Sequence, residues 1–169
     1  DTGPVGSATF ALATDFTPTP VWASGTAYNK FMKFNVSAGS DADVSLTALK
    51  VTRGGLSANA NVGGVGVYDK DDVRHGNMGT SWNDDNTMEV SFTSEPIVVE
   101  KGTTEAVWLK VNMAAGNITG TLTLSLASAA AITSSATLGG LFPITSGTVD
   151  FRNGATTVAA ITVDAVQVH

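Results

Sequence analysis

Two acidic stretches hold the side chains that are best suited to binding a hard cation. Asp69, Asp71 and Asp72 form one group, and Asp84 and Asp85 form the other. Calcium takes about six to eight oxygen ligands, which clustered carboxylates and backbone carbonyls can supply. The spacing of an EF-hand loop is absent, and aspartates are also common in turns because they hydrogen-bond to nearby backbone N–H groups. A stabilising Ca²⁺ site made from these five carboxylates and a set of solvated turns are therefore two open interpretations.

Residues for nucleophilic catalysis are scarce. The chain has two histidines, His75 and His169, and no cysteine. Asp72, His75 and a serine could in principle form a triad, but no Gly-x-Ser-x-Gly elbow is present to position the serine. We therefore predict that the protein is not an enzyme.

Two kinds of residue point to carbohydrate. Asn35 and Asn117 each begin an N-glycosylation sequon, Asn-Val-Ser and Asn-Ile-Thr, and are candidates for modification. Trp22, Trp82 and Trp108 could form a platform for a sugar ring. Aromatic residues in small β-proteins more often pack under loops, and we expect packing here.

The composition narrows the class of protein and of partner. The chain has 169 residues, of which 43% are hydrophobic and only 14% charged, with a net charge of −6. The nine Lys and Arg residues are scattered, which argues against nucleic acid as a partner. No apolar run approaches the roughly 18 residues of a membrane span. The chain begins at Asp1 without a basic and apolar leader, as we expect for an extracellular product whose signal peptide has been removed.

The elements that position these residues are short strands. Met32, Phe34 and Val36 alternate with polar residues, which is typical of a half-buried strand, and Phe31 and Lys33 fall on the outward face. Phe31 is therefore expected to lie under a loop or against a neighbour. About nine or ten such segments are separated by Gly, Asn and Asp turns. The pattern predicts a single all-β domain, an antiparallel β-sandwich of immunoglobulin-like or jelly-roll-like type.

One strand carries an irregularity that the sequence shows. The apolar phase of segment 44–53 changes between Leu46 and Leu49. This change predicts a β-bulge near Thr47 and Ala48.

The middle of the chain resembles a known module. Residues 31–55, FMKFNVSAGSDADVSLTALKVTRGG, followed by GVYD at 66–69, resemble a β-sandwich module of bacterial and archaeal surface-layer-like and extracellular filament proteins that use donor strands. Residues 98–102 and 111–113 resemble its closing half, so that the likeness covers roughly residues 28–126. The resemblance implies a structural role without catalytic residues. Such modules often occur in long multidomain chains, whereas this chain has one copy.

The two ends of the chain carry apolar strand-like segments. Residues 7–13 place Ala8, Phe10 and Leu12 on one face, and two prolines that follow prevent a direct hairpin. We therefore predict an N-terminal arm over residues 1–20, with these three side chains as polymerisation anchors, and one sandwich domain over residues 21–169. Residues 156–168 follow an Asn-Gly hairpin signal and are apolar in both phases, as in a strand that is buried on both sides.

These features predict a function in assembly. The leading hypothesis is a structural subunit of an extracellular filament or a pilus-like or tubular appendage, which assembles with itself when a strand of one copy adds to a sheet edge of the next. The alternatives are a module that binds carbohydrate or the cell surface and a surface-layer spacer whose arm folds onto its own body. Glycans and neighbouring cell-surface components are the other candidate partners.

Overall fold

Alternating apolar and polar side chains produce short strands throughout the part of the chain that the structure describes. The structure is a computed structural model, and it describes residues 5–152. Two one-turn 3₁₀ helices lie at Asn59–Asn61 and Ala129–Ala131. No helix within residues 5–152 is long and apolar enough to cross a membrane. The strands are β1 (Ser7–Leu12), β2 (Val21–Ala23), β3 (Asn29–Ala38), β4 (Val44–Gly54), β5 (Val62–Tyr68), β6 (Arg74–Gly79), β7 (Thr87–Ser91), β8 (Ile97–Val99), β9 (Thr104–Met113), β10 (Gly120–Leu126), β11 (Ile132–Ser134), β12 (Thr137–Gly140), β13 (Ile144–Thr145) and β14 (Val149–Arg152).

The strands form the two sheets of a sandwich-like fold. The first sheet has the order β12-β1-β3-β9-β5-β6, and the second has β11-β4-β10-β14-β2, with β7 and β8 on β4 and β13 on β10. Most neighbours are antiparallel, but β1 with β12 and β2 with β14 are parallel. The predicted all-β sandwich is confirmed, and its sheets are mixed rather than purely antiparallel.

One hydrophobic core lies between the two sheets. Alternate side chains of each long strand point into it, because successive residues of a strand face opposite sides of the sheet. The first sheet contributes Phe10, Phe34, Val36, Val107 and Leu109, and the second contributes Leu46, Leu49, Leu122, Leu124 and Phe151.

The bulge that the sequence predicts in β4 is confirmed. Along β11, Thr133 lies opposite Ala48 and the next residue, Ser134, lies opposite Leu46. Thr47 is therefore the extra residue of the bulge. An extra residue shifts the phase of a strand, which allows β4 to bury side chains in both phases.

A second irregularity overturns the expectation for Phe31. The register of β3 against β9 shifts between Lys30 and Met32, and Phe31 and Met32 are both buried. The ring of Phe31 packs edge-on against Trp22 with centroids 5.0 Å apart. The prediction that Phe31 faces outward was wrong, because a simple alternation does not include the irregularity that turns this ring into the core.

The segment predicted as an arm is a strand of the body. β1 lies between β3 and β12, and Ala8 and Phe10 are buried in the core of the same chain. The prolines after it do prevent a hairpin, and the chain instead crosses to β2 in the other sheet. The structure therefore does not confirm a separate arm over residues 1–20.

The last described strand has no free edge. Asp150 of β14 lies opposite Thr121 of β10 on one side and opposite Val21 of β2 on the other. The backbone N–H of Ser24 also donates to the carbonyl of Arg152, at 3.1 Å. The predicted strand 156–168 and its Asn-Gly turn lie outside the described residues.

Candidate functional site

The position of β1 determines which of its backbone groups face a neighbour. Ala13 donates its N–H to the carbonyl of Lys33 at 3.0 Å, and Gly39 donates to the carbonyl of Ser7 at 2.8 Å. In an antiparallel pair, residues alternate between bonding to the partner strand and facing away from it. The odd-numbered residues of β1 therefore bond to β3, and the even-numbered residues direct their backbone groups to the opposite edge.

That opposite edge is only partly covered. β12 pairs with Ser7 to Phe10 of β1, and its last partner residue is Gly140. Leu12 is the next even-numbered residue, and within residues 5–152 no strand pairs with it on this side. One N–H and one C=O of a central strand are thus available for a further ladder.

An apolar groove opens at this point. Its volume is about 550 Å³, and its lining includes Phe10, Leu12, Leu141, Pro143 and Ile144, with no charged side chain. Leu12 is 43% exposed and Leu141 is 93% exposed, although both are large apolar residues. Exposed apolar surface beside an open strand edge is the kind of site to which an extended peptide adds.

Asp69 of the first acidic group makes hydrogen bonds within its own turn and to His75. Asp69 accepts hydrogen bonds from the backbone N–H groups of Asp71 and Val73, both at 2.9 Å, and its other carboxylate oxygen lies 3.1 Å from Nε2 of His75. Burial opposes ionisation of Asp69, but the hydrogen bonds from His75 and the two backbone groups outweigh it and lower its pKa. Asp69 therefore organises its own turn.

Asp72 points to a different partner. Its carboxylate accepts a hydrogen bond from the buried Lys110 ammonium group at 2.7 Å and lies 3.8 Å from that of Lys30. The hydrogen bond from Lys110 lowers the pKa of Asp72 below its ordinary value. Lys110 also sits over the ring of Tyr68, 4.3 Å from its centroid. This pair fixes the 69–73 turn to the outer face of the first sheet.

The second acidic group is also engaged locally. Asp85 accepts hydrogen bonds from both the backbone N–H and the hydroxyl group of Thr87, at 3.2 and 2.6 Å. Among residues 5–152, no three Asp, Glu or His side chains come together as a metal site would require. The structure does not bring Asp69, Asp71, Asp72, Asp84 and Asp85 together, so it does not support the calcium interpretation.

His75 bridges Glu95 and Asp69, and the sequence did not predict these contacts. Its Nδ1 lies 2.6 Å from the carbonyl oxygen of Glu95, and its Nε2 faces the carboxylate of Asp69. Both partners are oxygen atoms that accept hydrogen bonds, so the ring of His75 is held between them. The Glu95 carboxylate in turn accepts the backbone N–H of Gly76 at 3.0 Å. The considered triad with Asp72 is not formed, because His75 pairs with Asp69 instead.

The three tryptophans do not converge on a platform. Trp22 is buried in the core, and Trp82 is partly buried against it, with an indole N–H that has no hydrogen-bond partner among residues 5–152. Trp108 lies on the outer face of the first sheet, where Phe16 packs edge-on at 4.8 Å and the ammonium of Lys30 lies 4.4 Å from the ring centroid. The expected packing is confirmed for Trp22, and the aromatic face of Trp108 is already in contact with its own chain.

The two sequons lie in different settings. Asn35 is in the middle of β3, opposite Ala11 on one side and Ala106 on the other, and its side chain is half-buried. Asn117 is exposed in the turn that precedes β10. Only Asn117 lies in a loop, where a glycan is usually accommodated.

Comparison with known proteins adds little beyond the fold. No family model and no curated protein match the chain. A family 123 glycoside hydrolase from Clostridium perfringens, described for glycolipid glycan hydrolysis, is 14% identical with a TM-score of 0.31, and the match covers 89% of this chain and 27% of that one. BslA, described as a bacterial hydrophobin, is 17% identical with a TM-score of 0.28, over 91% of this chain and all of that one. This chain therefore spans only about a quarter of the hydrolase's length. Both TM-scores are low, so neither similarity indicates a function.

Proposed function

We propose that this protein is a structural subunit of an extracellular filament or tubular appendage, and that it assembles with itself by β-strand addition between subunits. Strand addition joins backbone N–H and C=O groups across two chains, while alternate side chains of the added strand fill apolar pockets. The same contact repeated from copy to copy is heterologous, and such contacts generate open polymers unless the rotation closes a ring.

The observation that carries this proposal is that both edges of β14 are already paired, while the sequence that follows β14 is strongly apolar. Residues 156–168 contain a single charged residue, Asp164, and are apolar in both phases. Such a sequence is favoured where both faces of a strand are buried. Both edges of β14 are occupied by β10 and β2, so the run cannot gain a partner there. A second subunit offers it an acceptor.

The N-terminal strand is a poor donor by the same reasoning. Phe10 is fully buried, with its ring 6.1 Å from that of Phe34 and 6.4 Å from that of Phe142. Removing β1 from its own subunit would expose this core. We therefore assign the donor role to residues 156–168 rather than to Ala8, Phe10 and Leu12.

The experiment compares the full chain with a variant that ends at residue 154. The full chain should give filaments by negative-stain electron microscopy, and the shortened chain should stay monomeric in size-exclusion chromatography. A variant without residues 1–4 is the control and should assemble normally. Filaments of the shortened variant would overturn the assigned donor, and a full chain that remains monomeric at high concentration would overturn self-assembly itself.

The location of β1 favours a second candidate function. A surface-layer spacer whose first strand belongs to its own body would have the same β12-β1-β3 arrangement. A spacer would remain monomeric in its full-length form, so the same chromatography and microscopy separate the two functions.

A further inference from the structure

We infer that the apolar groove between β1 and residues 141–143 is the acceptor for residues 156–168 of a second copy of this chain. The inference rests on the proposed function and names the surface that it uses. The added strand would then lie along the uncovered edge of β1 at Leu12.

The backbone at the groove supports a ladder. The even-numbered residues of β1 face away from β3, and β12 pairs with them only as far as Phe10. At Leu12 the N–H and C=O are therefore available to an incoming strand. A strand that continues the line of β12 past Gly140 would complete this edge of the sheet.

The chemistry of the groove matches that of the run. No charged side chain lines the groove, and Leu12 and Leu141 leave apolar surface exposed within it. In the run, the odd-numbered phase is apolar without interruption from Ala159 to Ala165, whereas the even-numbered phase is interrupted by Thr162 and Asp164. We assign the odd-numbered phase to the groove, so that Asp164 remains in water.

The exit of the chain and the groove lie at opposite ends of β10. Phe151 of β14 is opposite Gly120, the first residue of β10, whereas Ile144 in the groove is opposite Leu126, the last. At about 3.3 Å per residue the two ends are about 20 Å apart. A donor that leaves one end of a subunit and an acceptor at the other end is the head-to-tail arrangement of a linear polymer. Because β14 runs antiparallel to β10, the chain also leaves its last described residue in the direction away from the groove, and we therefore assign the run to a second copy rather than to its own chain.

Disulfide trapping tests the inference cleanly because the natural chain has no cysteine. One copy carries Leu141→Cys, and a second copy with a different size tag carries Val163→Cys. After the copies are mixed under assembling conditions and mildly oxidised, the disulfide between the two tags should form several-fold more than in the control. The control acceptor is Leu56→Cys, because Leu56 is 88% exposed and lies near Thr121, away from the groove.

The outcomes separate the inference from the proposed function. If filaments form but residue 141 gives no more disulfide with residue 163 than residue 56 does, the groove assignment is overturned and self-assembly stands. No filaments from the natural chain would overturn both.

A chain that carries both Leu141→Cys and Val163→Cys should form ladders between chains, and a disulfide confined within single chains would show that the groove holds its own run. Leu141→Asp, which needs no oxidation step, should reduce assembly several-fold, and unchanged assembly would also contradict the inference.

Discussion

Gly140 packs directly against the carbonyl group of Phe10. A Cβ atom on residue 140 would lie 2.4 Å from that oxygen, and the backbone φ of Gly140 is +139°. Glycine alone adopts this conformation readily, because it has no side chain to collide with the backbone. The ladder between β12 and β1 ends at this pair, and residues 141–143 lead to β13 in the second sheet, which leaves the groove beside Leu12.

Replacing Gly140 with alanine should therefore destabilise the fold. Both the collision with Phe10 and the unfavourable φ oppose a side chain, and we expect a loss of about 1–3 kcal/mol in the free energy of unfolding. Urea denaturation measures it. Gly139→Ala is the matched control, because a Cβ there would have its nearest atom, the carbonyl oxygen of Ala8, at 4.0 Å. Equal losses for the two variants would contradict the role of the contact.

Phe10 and Leu12 should respond differently to truncation, although they are two residues apart on one strand. Phe10→Ala removes a fully buried ring and should cost about 3–5 kcal/mol of unfolding free energy. Leu12→Ala removes a partly exposed side chain from the groove, so it should change stability much less and weaken assembly instead. Urea denaturation and light scattering measure the two properties. A stable Phe10→Ala monomer would show that β1 is an arm after all.

The sequence predicted the strands better than their pairing. The alternation of Ala8, Phe10 and Leu12 showed that one face of β1 is buried, but period-two patterns do not identify the partner strand. The partner lies at β3 and β12, which are distant in sequence, and the register between them is fixed by packing in three dimensions. The bulge at Thr47 was visible as a change of phase within one strand, so it could be predicted locally.

The candidate site was harder to predict because it depends on where strands stop. The composition of residues 141–143 gave no sign that they border a groove, since the groove follows from the last pairing of Gly140. The acidic residues were misleading because their closeness in the sequence suggested a shared site. Asp69 and Asp72 are close in sequence, yet one faces His75 and the other Lys110. Proximity along a turn does not determine the direction in which a carboxylate points.

The pair between Asp72 and Lys110 should contribute measurably to stability. Asp72→Asn removes the charge that faces the buried ammonium group, and because the Asp72 side chain is half-exposed to solvent we expect a loss of about 0.5–1 kcal/mol in the free energy of unfolding. Asp71→Asn is the control, because it neutralises an exposed neighbour. Lys110→Met added to Asp72→Asn should recover part of the loss, since no buried charge is then left unpaired. A double variant less stable than Asp72→Asn would contradict this explanation.

Stability should decrease in acid partly through Asp69. Its pKa is lowered in the folded protein, so the unfolded chain takes up a proton first, near the ordinary value of about 3.9. The contribution is therefore complete above about pH 5 and is lost as the pH falls through the lower pKa of the folded state. Urea denaturation between about pH 6 and about pH 2 should show a shallower loss for Asp69→Asn than for the natural protein. The same acid dependence in both would exclude Asp69 as a source.

Two substitutions in the apolar run should distinguish its two faces during assembly. Ile161→Asp places a carboxylate on the odd-numbered phase that we assign to the uncharged groove, where burial of an unpaired charge costs several kcal/mol or forces protonation. Filament formation, followed by light scattering and electron microscopy, should be lost. Thr162→Asp adds the same charge one residue later on the phase that carries Asp164, and it should assemble nearly as well as the natural chain. Loss of assembly in both variants would indicate that the run is buried on both faces, whereas loss only in Thr162→Asp would reverse the assigned orientation.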